Sequence, residues 1–360
     1  MPAPRVLHIS PFVDMSGANY SLLTLVEELA KSGPAYVLAL VDGELAARAR
    51  AVGAIVGTAF PTAQLGGART GRWLRMAGAI NRMISEHGIQ LIHAHSAPAN
   101  RYAWPVAKLR GIPLITHQRD NYRSDYFHAG LGLANHIICN SRWVFSTLPP
   151  KLQRKASVVH NAVSIPDEAL SASRVRGSPL VIGMAGRCVP DKGQDLLITA
   201  FQPLAERYDV QLLIKGMDGS PFSQALAQQV AQAPPAARDR IRLLPYDNDM
   251  ASFYKSVDVV VVPSRYAEPF GRVAIEAMAW NKATIAAGHG GLLEIIQHDK
   301  NGLLFEPGNV EDLTKQMERI ASDDRLREQL ASAGFKDVQE RFSAKAHAKE
   351  ISRIYERVLA

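Results

Sequence analysis

Cys139 and Cys188 are the only two cysteines in this chain of 360 residues. They fall in separate halves, which excludes a disulfide framework and a cysteine-rich metal site. No apolar run approaches the roughly 20 residues that span a bilayer. The start, Met1-Pro2-Ala3-Pro4-Arg5, runs straight into a strand and lacks the basic and apolar regions of a secretion signal. A reducing cytoplasm is the expected setting. There is no G-x-G-x-x-G dinucleotide fingerprint, no short internal repeat, and no recognised nucleic-acid motif in which basic residues alternate with aromatics.

What is present is an ordinary core-forming composition, 47% hydrophobic, at a length that favours two domains. The net charge of +7 is unevenly spread. Residues 1–165 hold 17 Lys and Arg against 8 Asp and Glu, whereas residues 166–360 hold 24 against 26. The basicity therefore belongs to the first half, and an acidic partner is expected there.

Short β-branched runs alternate with helical segments along the whole chain, which implies parallel, doubly wound sheets. Val6–Ser10, Tyr36–Val41, Ile89–His95, Pro113–His117, Ala134–Ser141 and Ala156–Asn161 read as strands of the first half. Arg72 to His87 reads as an amphipathic helix. From Ala162 to Pro179 the composition turns to Ser, Pro, Asp and Arg without periodicity, as expected of a linker. The pattern then restarts with strands at Leu180–Ala185, Val210–Lys215, Ile241–Leu244, Val257–Val262, Ala283–Ala286 and Leu303–Phe305. A last amphipathic helix covers Phe342 to Leu359.

The chemistry concentrates in loops that follow strands. After Val257–Ser264 comes Glu268-Pro269-Phe270-Gly271-Arg272, feeding a helix that carries Glu276. Gly271 lets the backbone approach a ligand. The helix N-terminus offers free amides and roughly half a positive charge to an anion. Glu268 and Glu276 can each accept hydrogen bonds from a sugar diol. After Leu180–Ala185, the loop Gly186-Arg187-Cys188-Val189-Pro190-Asp191-Lys192-Gly193 brings two cations to the edge where such sheets bind ligands.

Glu-Pro-Phe-Gly followed by Glu-Ala-Met-Ala, with glutamates eight positions apart, resembles the EX7E motif of family 4 glycosyltransferases. Arg187 and Lys192 are similar to that family's G-R-x(4)-K-G element. The resemblance covers nearly the whole chain and implies a GT-B architecture, α/β, with two Rossmann-like doubly wound domains facing across a cleft. It implies an N-terminal acceptor domain at 1–165, a nucleotide-sugar domain at 178–341, and a C-terminal helix at 342–360 crossing back to the first. The implied activity is transfer of a sugar from a nucleotide-sugar (UDP- or GDP-linked) to an acceptor hydroxyl. Configuration is retained, without cofactor or metal, by front-face attack in which a phosphate oxygen helps take the proton.

By the same resemblance, Arg187 and Lys192 stabilise the departing diphosphate, Glu268 holds sugar hydroxyls, Glu276 the ribose diol, and the Phe270–Arg272 backbone the sugar and phosphate. His117 matches a histidine placed against the donor sugar. Gly17, in the glycine loop that leads into the helix Tyr20 to Lys31, faces the diphosphate. Met217, in a turn after its strand, lids the nucleobase. Ser16 and Arg119 are expected acceptor contacts, and Gly288–Glu294 a glycine turn beside the site.

His93 and His95, two apart on one strand face, invite a metal reading. No cysteine or carboxylate completes a site, so structural use is expected. Asp247-Asn248-Asp249 reads as a helix cap. The acceptor is expected to be a glycan or a lipid-linked, lipopolysaccharide-type molecule in cell-surface polysaccharide synthesis. An anionic membrane surface would meet Arg69, Arg72, Arg75, Arg82, Lys108 and Arg110 near Trp73. The rivals are a GT-B nucleotide-sugar epimerase and a basic nucleic-acid-binding module; nucleic acid is not the expected partner.

Overall fold

The structure, a computed structural model, describes residues 3–61, 69–120, 130–169 and 178–360. Two compact units make up the chain: Met1–Val163 with Ser343–Ala360, and Ser164–Phe342. The stretch read as a linker contains this boundary, and its residues 170–177 lie outside the described residues.

The first unit is built on seven strands: β1 (Val6–Ser10), β2 (Tyr36–Val41), β3 (Ile55–Phe60), β4 (Leu91–Ala94), β5 (Leu114–Gln118), β6 (His136–Cys139) and β7 (Ala156–Val158). Their order is β3-β2-β1-β4-β5-β6-β7, and every pairing is parallel. The central strands are buried on both faces, as helices on either side of a parallel sheet require. Period-two alternation sorts their side chains. Leu7, Ile9, Ile92, Ala94 and Leu114 pack with helices Arg69–His87 and Ala97–Arg110. Val6, Leu91, Ile115 and Ile138 meet Ala348, Ile351, Ile354 and Tyr355 of the helix Ala344–Leu359. Those four helix positions form one apolar stripe, so residues from the far end of the chain cover half of the first sheet.

The second unit carries β8 (Leu180–Ala185), β9 (Val210–Met217), β10 (Ile241–Pro245), β11 (Val259–Val262), β12 (Ala283–Ala287) and β13 (Leu303–Phe305). The order is β10-β9-β8-β11-β12-β13, again all parallel. Strand order reverses between β1 and β4 in one unit and between β8 and β11 in the other. At such switch points the loops leaving the carboxyl ends diverge and open a crevice for ligands.

Three features depart from the sequence reading. β3 and the helix Ala97–Arg110 were not anticipated. β9 runs on to Met217, so Lys215–Met217 is strand and not a turn. In a chain with two such sheets, no helix among the described residues is long and apolar enough to cross a membrane.

Candidate active site

In the second unit, the loops after β8 and β11 leave adjacent strands at the switch point and are tied together by charge. Pro190–Lys192 forms a single 3-10 turn. The Arg265 amide donates to the Asp191 carbonyl at 2.8 Å, and the Arg265 guanidinium forks onto both oxygens of Asp195. Held this way, Lys192 Nζ reaches Glu268 Oε1 at 2.5 Å, and Ser264 Oγ donates to the same oxygen at 2.6 Å. The second oxygen of Glu268 has no partner among the described residues. Arg187 is exposed in the same loop as Lys192.

Two glycine positions make this geometry possible. Gly271 precedes the helix Arg272–Ala279 at φ 102°, a left-handed conformation, and a Cβ there would overlap the Leu292 side chain. Gly290-Gly291 presses its backbone onto Ala267–Phe270: a Cβ on Gly291 would lie 2.5 Å from Phe270 Cα. The Gly291 amide donates to the Glu268 carbonyl at 2.8 Å. His289 Nε2 lies 2.9 Å from the Ser264 carbonyl, so that nitrogen carries the proton. The glycine turn thus clamps the loop that presents Glu268.

One turn into the helix, Glu276 Oε1 sits 2.6 Å from Arg272 Nε, and Oε2 accepts from the Tyr254 hydroxyl at 2.9 Å. Tyr254 is buried and stacked on Trp280. Burial, and then the Glu276 charge, push its phenol well above the ordinary range, so it stays a donor. Phe270 is buried with its ring against Phe342. Met217 is half-buried at the end of β9, and its carbonyl accepts from the Tyr246 amide. Asp249 caps its helix by accepting from the Ser252 amide at 3.0 Å, as read, while Asp247 instead pairs with the buried Lys215 at 2.5 Å.

The first unit holds a different kind of site. Ser16 precedes the helix Gly17–Ala30, with its hydroxyl buried and unbonded among the described residues, while Gly17 is exposed at the first helical position. Asn19 pins the loop, accepting from Ser10 Oγ at 2.6 Å and donating to the Asp14 carbonyl at 2.7 Å. Beneath the helix Ala344–Leu359 gather four fully buried histidines: His8 of β1, His93 of β4, His95 just past β4, and His117 of β5. His8 pairs in register with His93 across β1 and β4. His93 Nδ1 lies 2.7 Å from the Tyr355 hydroxyl, and the His93 and His117 rings are parallel at 5.5 Å.

Arg119, expected at an acceptor surface, is turned inward instead. One guanidinium nitrogen, Nη2, sits 3.2 Å from His95 Nδ1 and 3.2 Å from His117 Nδ1, while Nη1 bonds Asn161 Oδ1. Burial first, and for His117 next the Arg119 charge, lower the basicity of His93, His95 and His117 well below the usual range; burial takes His8 down to about 3.

His8 supplies the third nitrogen that the His93–His95 pair lacked in the sequence, and the three rings bring ligand atoms within 4.8 Å of one another. Arginine cannot accept a hydrogen bond, so His95 Nδ1 must, and its Nε2 carries the proton donated to His8 Nδ1 at 3.0 Å.

Two family models match the chain: "Glycosyltransferase Family 4" over residues 15–165 and "Glycosyl transferases group 1" over residues 167–337. Between them they take in both units. The chain belongs to the family 4 glycosyltransferases. It is 35% identical over 184 residues to an uncharacterized glycosyltransferase of Methanocaldococcus jannaschii, covering 50% of this chain and 46% of that one. To the capsular polysaccharide biosynthesis glycosyltransferase CapM of Staphylococcus aureus it is 29% identical over 178 residues, covering 49% and 45%. The matched stretch therefore spans a little under half the length of each of these relatives. Among solved structures, Anabaena HepE in complex with UDP and glucose superposes with a TM-score of 0.81 at 22% identity, over 98% of this chain and 99% of that one. At that identity the likeness speaks for the fold, which is GT-B.

Sequence reasoning missed Ser264, Tyr254 and His8. Ser264 opens the loop that was singled out, four residues before Glu268. Tyr254 and His8 meet their partners only through strand and helix packing.

The basic face of the first unit is partly as expected. Arg75, Arg82, Lys108 and Arg110 are exposed, but Arg72 and Trp73 are half-buried, and the Arg69 side chain lies outside the described residues. Leu74 and Leu109 stand out to solvent, 62% and 84% exposed.

Proposed function

We propose that this chain moves a sugar from a UDP- or GDP-linked donor to an acceptor hydroxyl, with retention of configuration and no metal, in cell-surface polysaccharide or glycolipid synthesis. The observation that carries this reading is the Lys192–Glu268 pair, which joins two switch-point loops beside the amide-rich start of the helix Arg272–Ala279. A carboxylate anchored by one oxygen keeps the other for sugar hydroxyls. Glu276, fixed by Arg272 and Tyr254, keeps lone pairs for the ribose diol.

Arg187, Lys192 and the helix start would take up charge as the diphosphate departs. Preorganised donors at such a position contribute about 3–4 kcal/mol each. CapM's name places it in capsular polysaccharide synthesis, and HepE was solved with UDP and glucose; both accord with this donor class. The acceptor falls to the first unit, with Ser16 at its helix start. The exposed Arg82, Lys108 and Arg110, together with Leu74 and Leu109, suit an anionic membrane carrying a lipid-linked acceptor, at about 1 kcal/mol per basic residue near such a surface.

Thermal-shift measurements with UDP, GDP, ADP, UDP-glucose and GDP-mannose test the donor site. A nucleotide held at 100 times its Kd stabilises by about 2.7 kcal/mol. Silence from all five would remove the donor reading. An inverted anomeric product, or activity abolished by EDTA, would overturn the retaining, metal-free mechanism.

A further inference from the structure

The buried polar cluster of the first unit contains one cation, Arg119, and its bonds dictate where protons reside on the rings around it. A guanidinium has five N–H donors and no acceptor. The two hydrogens of Nη2 are aimed at two different imidazoles, His95 Nδ1 and His117 Nδ1, each at 3.2 Å. Both Nδ1 atoms must therefore be bare. In a neutral ring the proton is then on Nε2.

For His95 that proton has a use, since Nε2 lies 3.0 Å from His8 Nδ1 and donates to it. For His117 it has none: Nε2 is buried and has no hydrogen-bond partner among the described residues. Bound at Nη1 by Asn161, the guanidinium cannot swing to release either ring. Among the described residues, the remaining titratable neighbours are His93, stacked on His117 at 5.5 Å, and His347, whose Nδ1 is engaged by the His160 carbonyl at 2.7 Å. Neither is an anion that would draw a second proton onto His117.

We propose that Arg119 is a positioning residue that locks His117 as a neutral ring with its proton on Nε2, so that His117 donates a hydrogen bond to an oxygen of the donor sugar and cannot act as a base toward it. This rests on the reading that His117 faces the sugar of a nucleotide-sugar. It replaces the expectation that Arg119 itself touches the acceptor. An unpartnered buried N–H is satisfied when the ligand oxygen arrives, and the two-residue spacing on one strand face delivers the guanidinium beside the ring it orients. The same lock leaves His95 and His8 a hydrogen-bonded pair of neutral rings.

The test is a long-range 15N–1H correlation spectrum of the full chain, labelled with 15N-histidine, at neutral pH. Resonances are assigned with His95→Gln and His117→Gln. His95 and His117 should both show a protonated Nε2 and a bare Nδ1. A protonated Nδ1 on either ring overturns the proposal, and this readout needs no variant of Arg119.

In Arg119→Met the His117 tautomers should mix. The preference for UDP-glucose or GDP-mannose over the free nucleotide should fall about three- to tenfold, the worth of one neutral hydrogen bond, while affinity for UDP or GDP is kept. If His117→Gln lost that preference but a folded Arg119→Met kept it, the positioning role would be wrong and the sugar contact would stand. If wild-type protein bound no nucleotide at all, the functional reading would fail, and the spectrum would still decide the tautomer.

Discussion

The two units handle buried polarity in opposite ways. In the second, charges stay charged: Lys192 faces Glu268, Arg272 faces Glu276, and each pair lies at a sheet edge where a ligand can share it. In the first, the polar groups beneath the helix Ala344–Leu359 are, among the described residues, buried neutral rings around the buried guanidinium of Arg119. Removing an ion from water costs several kcal/mol unless a partner compensates. A ring that can shed its proton avoids that cost. The second unit is thus suited to meeting a substrate that changes charge, and the first to presenting a donor of fixed direction.

Breaking one ion pair should have the largest consequence. Lys192→Ala removes the cation proposed to meet the leaving group and strands Glu268 without its counter-charge. A loss of two to three decades in kcat/KM is expected from transfer assays, as for the removal of a preorganised donor. Unchanged turnover would show that the pair is only structural.

Acid should separate the units next. His8 is held down to about 3 in the folded state against 6.5 when exposed, and His93, His95 and His117 are lowered too. The unfolded chain therefore binds more protons below about pH 6.5. The stability these rings contribute is intact above that pH and declines as pH falls toward 3, by about 1.4 kcal/mol for each pH unit and ring. Hydrogen exchange from pH 7.5 to 4.5 should show the strands β1, β4 and β5 weakening before β8 and β11. The reverse order would mean the cluster is protonated without penalty.

A smaller effect belongs to Tyr254→Phe, which deletes one hydrogen bond to Glu276 without changing shape. Nucleotide affinity measured calorimetrically should fall by about 1 kcal/mol, with turnover at saturation little altered. Smallest of all, replacing Arg82, Lys108 and Arg110 by glutamine should weaken sedimentation with phosphatidylserine vesicles at low salt by about 1 kcal/mol per residue. Wild-type protein that stays in the supernatant would leave the basic face to a soluble acidic acceptor.

The same contrast governed what could be read without coordinates. Glu268, Gly271, Arg272 and Glu276 lie within nine residues, and Arg187 with Lys192 within six, so local spacing carried their geometry. The histidine cluster is assembled by register: His8 meets His93 only because β1 pairs with β4, and Tyr355 joins from the last helix. No window along the chain contains that information.

Two elements escaped for local reasons. β3 reads Ile-Val-Gly-Thr-Ala-Phe, where glycine and alanine dilute the strand signal. The helix Ala97–Arg110 contains Pro98 and Pro105. Pro98 falls in the first turn, where proline is tolerated, and Pro105 is carried inside a helix packed against β4 and β5.

The helix Ala344–Leu359 also sets an order of events during synthesis. A ribosome makes β1 to β7 first, yet their sheet keeps Val6, Leu91, Ile115 and Ile138 uncovered until residues 348–355 emerge. Every residue of the second unit is translated in that interval. The unit begun first is completed last, and it must wait with an apolar face open while its neighbour closes. Residues 1–165 expressed alone should then be prone to aggregate, whereas residues 178–341 carry a whole sheet and its core within one uninterrupted segment.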